Sequence, residues 1–219
     1  LPSTSDVLDR TVATGSLLDL APVVPVVVVH DLSTAVPVAR ALAAGGVPVI
    51  ELTLRTPVAL EAIRAIADEV PEIRVGAGTV LDPRQAEAAR AAGASFLVSP
   101  GCTPSLLAAM SDTGLPFLPG TATVSEVLTA LEAGVTELKF FPAEQSGGAG
   151  FLKAIASVVP AARFCPTGGI SPANAASYLA LPNVGCVGGS WLTPADALAD
   201  RDWDRVARLA EESHALRAG

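Results

Sequence analysis

Residues 47–79, VPVIELTLRTPVALEAIRAIADEVPEIRVGAGT, decide the fold. An apolar run at 47–54 is followed by an Ala- and Ile-rich stretch with helical spacing at 57–69. A second short run at 73–79 ends in small residues. Near-continuous apolar runs of this length read as strands covered on both faces, and a helix between two of them makes a parallel crossover. The pattern repeats in both directions. Further strand-like runs lie at 23–29, 96–100, 116–119, 137–142, 163–167 and 184–190. Helix-like segments lie between them at 33–44, 83–92, 104–113, 124–133, 150–158 and 172–181, several opening on Ser, Thr, Asp or Pro as a first turn requires. An amphipathic helix over 202–217 closes the series, and another is expected over 5–20.

Eight strands alternating with eight helices is the accounting of an α/β protein, a single (β/α)8 TIM barrel with an extra N-terminal helix. A doubly wound open sheet allows the same alternation. No linker, low-complexity stretch or charge block interrupts the chain, so residues 1–219 are expected to form one domain. Glycines cluster after the strands, at 76 and 78, 101, 120, 168–169 and 188–189. In a barrel these positions lie at the C-terminal rim, where sites are built.

Half the residues are hydrophobic and 16% are charged, so part of the apolar excess is expected in a subunit interface. The net charge of −8 excludes nucleic acid and acidic membrane surfaces as partners. An anionic ligand would need local cations to overcome that field, which points to Lys139 and Arg55. The three cysteines, Cys102, Cys165 and Cys186, form no CxxC pair and read as reduced thiols. LPSTSD at the start carries no signal-peptide pattern, and the valine run at 23–29 is too short to span a bilayer. A cytoplasmic protein is expected.

The chain has two lysines, and Lys139 sits in the apolar segment Glu137-Leu-Lys-Phe-Phe-Pro142. Apolar surroundings disfavour a charged amine and leave part of it neutral and nucleophilic, able to form a Schiff base with a ketone. Side chains alternate along a strand, so Glu51, Thr53 and Arg55 share one side, and Lys139 and Phe141 share another. With Leu52 and Leu54 packed against helices, Glu51, Arg55 and Lys139 converge inside the barrel. The alternative reading is an ion pair that merely fills it, which is costly to bury. Pro166-Thr-Gly-Gly-Ile-Ser171 and Gly188-Gly-Ser190 follow the last two strands, where backbone N–H groups and helix N-termini hold phosphate in barrels. No metal site is expected. His30 and His214 are the only histidines, and neither has a companion set of ligands.

Glu51-Leu-Thr-Leu-Arg55-Thr, Val75-Gly-Ala-Gly-Thr79-Val, Ser99-Pro-Gly, Pro119-Gly, Leu138-Lys139-Phe-Phe-Pro-Ala-Glu144, Pro166-Thr-Gly-Gly-Ile-Ser171 and Gly188-Gly-Ser-Trp resemble the 2-dehydro-3-deoxy-phosphogluconate (KDPG) aldolase family. The resemblance runs from about residue 20 to 210. It implies a class I aldolase on a (β/α)8 barrel, usually a homotrimer, cofactor-free, cleaving a phosphorylated keto acid in the Entner–Doudoroff pathway. Lys139 would form the Schiff base and Glu51 would be the general acid/base. Arg55 would take the substrate carboxylate with Thr79 nearby, Pro100 and Phe141 would shape the wall, and Thr167, Gly168, Gly169, Gly189 and Ser190 would hold the phosphate. His30-Asp31 departs from the Lys or Arg common there in the family, and Thr121-Ala122 from a more hydrophobic pair. Sister activities on 4-hydroxy-2-oxoglutarate or the galactonate epimer would keep Lys139, Glu51 and Arg55. A barrel sugar-phosphate epimerase and a non-catalytic phospho-sugar binding protein are the readings from other classes.

Overall fold

Val23–Val27 (β1) pairs in parallel with Val49–Thr53 (β2) on one side and with Val187–Gly189 (β9) on the other, so the first and last strands of the chain are neighbours. The computed structural model in which this is seen describes residues 15–217. Beyond β2 the sheet continues through Arg74–Gly78 (β3), Leu97–Val98 (β4) and Phe117–Leu118 (β5), giving the order β5-β4-β3-β2-β1-β9. A second parallel sheet joins Gly120–Thr121 (β6), Glu137–Phe140 (β7) and Arg163–Pro166 (β8) in that order.

Each strand except β5, which runs on into β6 across Pro119, is followed by helix, as parallel pairing requires. These are Ala35–Ala44 (α1), Ala59–Glu69 (α2), Pro83–Ala91 (α3), Pro104–Asp112 (α4), Val124–Glu132 (α5), Gly148–Ile155 (α6), Ala175–Leu179 (α7), Ala195–Ala199 (α8) and Trp203–His214 (α9). Their starts follow local chemistry. Asp82 and Thr103 cap α3 and α4 with side-chain oxygens, each with Pro in the first turn. Thr123 and Glu126 form a reciprocal capping box at α5. Strands β1 and β2 are almost wholly buried, which is why they read as unbroken apolar runs rather than alternating ones.

The run expected at 116–119 holds β5 alone, and β6 follows beyond its end, separated from it by Pro119, whose ring nitrogen has no hydrogen to donate to a ladder. At the far seam, β8 meets the β9 region through isolated bridges, Phe164 to Val184 and Thr167 to Gly188. The expected strand 184–190 is therefore regular only over its last half. The helix expected over 5–20 lies mostly outside the described residues, and its described end, Leu17–Asp19, is a 3-10 turn. That turn crosses the starts of β7 and β8. Arg163 donates to Asp19 at 2.7 Å, Leu17 N donates to Glu137 at 3.2 Å, and the Ser16 hydroxyl also bonds Glu137. Leu17 and Leu18 are buried beneath it. Helix α8 was not expected from the sequence.

Candidate active site

Strand β7 puts Phe140 outward, where its ring stacks on Phe151 of α6 with centroids 5.1 Å apart. Alternation then turns Lys139 inward. Its Nζ stands 3.1 Å from Oε1 of Glu51 on β2, a residue 88 positions away in the chain. Lys139 is 5% exposed and Glu51 2%, so the pair is almost dry. Room for the carboxylate comes from Gly78 on the adjacent strand: a Cβ there would fall 2.6 Å from Glu51 Cγ. The amine also lies 5.4 Å from the centroid of the Phe141 ring. Burying an ammonium and a carboxylate together costs desolvation that their attraction barely offsets. One proton passing from Nζ to Oε1 leaves a neutral amine beside a neutral acid, the two forms that addition to a carbonyl requires.

Arg55 departs from the expectation of an interior guanidinium. Strand β2 ends at Thr53, whose hydroxyl donates to Val27 O at 3.2 Å, and the chain turns at 54–55. Arg55 consequently stands exposed at the rim, where its Nε lies 3.4 Å from Thr79 Oγ1. Thr79 has φ of +59°, a left-handed conformation that a β-branched residue adopts only under strain. In that conformation its hydroxyl accepts from the Arg55 Nε–H.

The buried pair adjoins a cleft of about 170 Å³ through Phe141, which lines it, whereas Lys139 and Glu51 themselves do not. Arg55 and Phe141 form one part of its wall, Val26 and Val28 another, and Thr167 to Ile170 with Gly188 to Ser190 the rest. Gly168 and Gly169 have φ of +102° and +77°, so the loop after β8 depends on residues without a side chain. Gly188 leaves space for Thr167, whose Cγ2 would be 3.0 Å from a Cβ at that position. Arg55, Phe141, Thr167, Gly168, Gly169, Gly189 and Ser190 are thus brought together. Thr79 joins them through Arg55. Pro100 does not line the cleft: its backbone packs against Gly120 at the seam between β5 and β6. A larger hollow of about 440 Å³, lined by Leu107, Phe117 and Val135 among others, lies away from Lys139 and has Glu132 as its one ionisable side chain. Among the described residues no three His, Cys, Asp or Glu side chains are grouped to hold a metal ion, and no helix is long and apolar enough to cross a membrane.

A buried amine–carboxylate pair beside a glycine-lined cleft coincides with a match to a known family. The model of KDPG and KHG aldolases matches residues 15–209. The chain belongs to this aldolase family. It is 57% identical over 198 residues to the KHG/KDPG aldolase of Escherichia coli K12, covering 90% of this chain and 93% of that protein. It resembles the crystal structure of KDPG aldolase from Legionella pneumophila, with pyruvate captured at low pH as a covalent carbinolamine intermediate. That likeness has a TM-score of 0.88 and 46% identity, covering 90% of this chain and 96% of that one. It also resembles the KDPG aldolase of Zymomonas mobilis ZM4 with 3-phosphoglycerate, at a TM-score of 0.85 and 44% identity, covering 98% and 97% of the two chains.

Several parts of the aldolase cleft escaped the sequence reading. Val26 and Val28 gave no polar signal, although their shared parity on the first strand could have placed them inward. Gly188 was read only as half of a glycine pair. Glu144 entered only as the last residue of the motif around Lys139 and Tyr178 not at all, because the hydrogen bond that joins them behind the loop after β8 runs between α7 and the turn before α6.

Proposed function

We propose that the chain is a class I aldolase that reversibly cleaves 2-dehydro-3-deoxy-6-phospho-D-gluconate (KDPG) to pyruvate and D-glyceraldehyde 3-phosphate, a step of the Entner–Doudoroff pathway. The observation that carries this reading is the buried Lys139–Glu51 pair at 3.1 Å beside a cleft with a guanidinium at one wall and glycine backbone at another. Arg55 suits the substrate carboxylate and is free to meet it bidentately at the rim. Thr167, the Gly168–Gly169 turn, Gly189 and Ser190 suit the phosphate. The carbinolamine captured in the Legionella relative supports a covalent route, and the 3-phosphoglycerate in the Zymomonas relative supports a phosphorylated ligand.

Glu51 first takes a proton from the Lys139 ammonium. The neutral Nζ adds to the C2 ketone, whose oxygen takes that proton back from Glu51. The adduct nitrogen then gives one proton to Glu51, which passes it to the C2 hydroxyl; the oxygen leaves as water and the freed nitrogen lone pair closes the iminium bond. The C3–C4 bond then breaks, its electron pair entering the iminium as an enamine while the C4 hydroxyl gives up its proton and becomes the aldehyde. Protonation of the enamine at C3 and addition of one water release pyruvate and restore Lys139. Glu51 serves these transfers in turn, and its charge stabilises the iminium.

This reading treats β5 and β6 as one strand interrupted at Pro119, and the bridges from β8 to β9 as the closing seam. The result is one eight-stranded (β/α)8 barrel domain over 1–219, placed in the cytoplasm. It also takes the chain to be a homotrimer, supported by the apolar hollow around Leu107 and Phe117 and by Leu128 on α5, 47% exposed. Sedimentation as a monomer at micromolar concentration would overturn the trimer. A second reading, with 4-hydroxy-2-oxoglutarate as the main substrate, is favoured by the E. coli relative carrying both names. Comparing kcat/KM for the two substrates decides between them.

The central test is incubation with pyruvate and borohydride followed by peptide mass spectrometry. A reduced adduct on Lys139 and none on Lys153 is expected. No adduct on folded protein would sink the Schiff-base mechanism.

A further inference from the structure

Behind the Gly168–Gly169 turn lies a relay of hydrogen bonds that takes no part in the chemistry described above. Tyr178 on α7 is 1% exposed, and its hydroxyl donates to Glu144 Oε1. Burial first, and then the Glu144 carboxylate, raise the Tyr178 hydroxyl well above its usual range, so it remains a proton donor at any working pH. Glu144 is otherwise exposed, and a surface carboxylate held this way loses rotamer freedom for no gain in packing unless its position matters.

Its position is against the turn. A Cβ on Gly169 would fall 2.6 Å from Glu144 Cγ, so the stem of Glu144 lies directly on the Gly169 backbone. Glu144 N donates to Gly168 O at 3.2 Å, and Ala143 N to Thr167 O at 2.8 Å. From the other side Asn174 Nδ2 donates to Gly169 O at 3.0 Å. Among the described residues no hydrogen bond engages the Gly169 N–H, which leaves it for a ligand at the cleft. We propose that Glu144 and Tyr178 are positioning residues that press the Gly168–Gly169 turn into the conformation that receives the substrate phosphate, setting preference for phosphorylated over unphosphorylated substrate. The inference rests on the aldolase reading for its substrate and on the turn's own geometry for its mechanism.

The test compares the wild type with Tyr178→Phe, Glu144→Ala and Glu144→Gln. Tyr178→Phe loses a hydrogen bond to a charged group and should raise KM for KDPG roughly tenfold. Inhibition by inorganic phosphate should weaken by a similar factor. The kcat for KDPG and the KM for 4-hydroxy-2-oxoglutarate, which has no phosphate, should stay where they are. Glu144→Ala should behave the same way, and Glu144→Gln, whose amide oxygen still accepts from Tyr178, should regain most of the loss. A parallel rise in KM for both substrates, or no rise for KDPG, overturns the proposal. Should the wild type cleave neither substrate, the aldolase reading fails on its own. Calorimetric binding of inorganic phosphate to wild type and Tyr178→Phe then decides the role of the pair.

Discussion

Lys139 and Glu51 can be separated experimentally because they fail differently. Lys139→Arg keeps a cation beside Glu51 but removes the amine that attacks the ketone, so turnover and the borohydride adduct should both vanish. Glu51→Gln keeps the shape and loses the proton carrier; kcat should fall by about 10² to 10⁴ while the protein remains folded. Gly78 offers a cleaner probe, since it takes no part in chemistry. In Gly78→Ala the new methyl would crowd Glu51 Cγ, at 2.6 Å, and displace the carboxylate. Stopped-flow measurement of enamine formation should show a loss of about 10²-fold, the usual cost of a misplacement near 1 Å. A wild-type rate in Gly78→Ala would mean that Glu51 is not held where the chemistry needs it. Strand parity made Lys139 and Glu51 legible in the sequence because both lie inside regular strands. It misled at Arg55, where β2 has already ended and alternation no longer applies.

At the scale of elements, the capping box of α5 is the clearest local device. Glu126 accepts from Ala122 N at 2.8 Å and from Thr123 N and Oγ1 at 2.9 Å, while its own N–H donates back to Thr123 Oγ1. Burial pushes the Glu126 carboxyl up, but those hydrogen bonds outweigh it and hold it below the ordinary value of 4.5. A carboxyl lowered in the folded state contributes stability above its unfolded value, and that contribution is lost as pH falls through the folded value. Urea midpoints should therefore drop on acidification below about pH 4.5 more steeply in the wild type than in Glu126→Gln. Thr123→Ala should cost about 1 kcal/mol at neutral pH. Most helices were legible from such caps and from apolar spacing. The exceptions have physical reasons: α8 is five residues with a single buried one, too short for periodicity to register, and the fifth strand is broken by Pro119, at which the expected strand-like run ends.

For the molecule as a whole, the end opposite the cleft is fastened by Arg163, which reaches Asp19 at 2.7 Å and Glu137 at 3.4 Å. The guanidinium is partly exposed, so Arg163→Met should cost no more than about 1 kcal/mol of global stability. Hydrogen exchange over residues 16–20 should nevertheless rise, with kcat unchanged, because Arg163 bonds both Ser16 and Asp19 of the turn. Exchange equal to wild type would mean that Leu17 and Leu18 alone anchor it. This fastening was not legible, since Arg163 lies 144 residues from Asp19 and each reads locally as an ordinary surface charge. The same long reach governs the reactive amine. Its carboxylate partner lies 88 residues upstream, in the other sheet. A chain still emerging from the ribosome carries Lys139 as an unremarkable side chain among the cell's many aldehydes and keto acids. Only docking of the two sheets assembles the pocket that singles it out, so the onset of pyruvate trapping is a clock for the completion of folding.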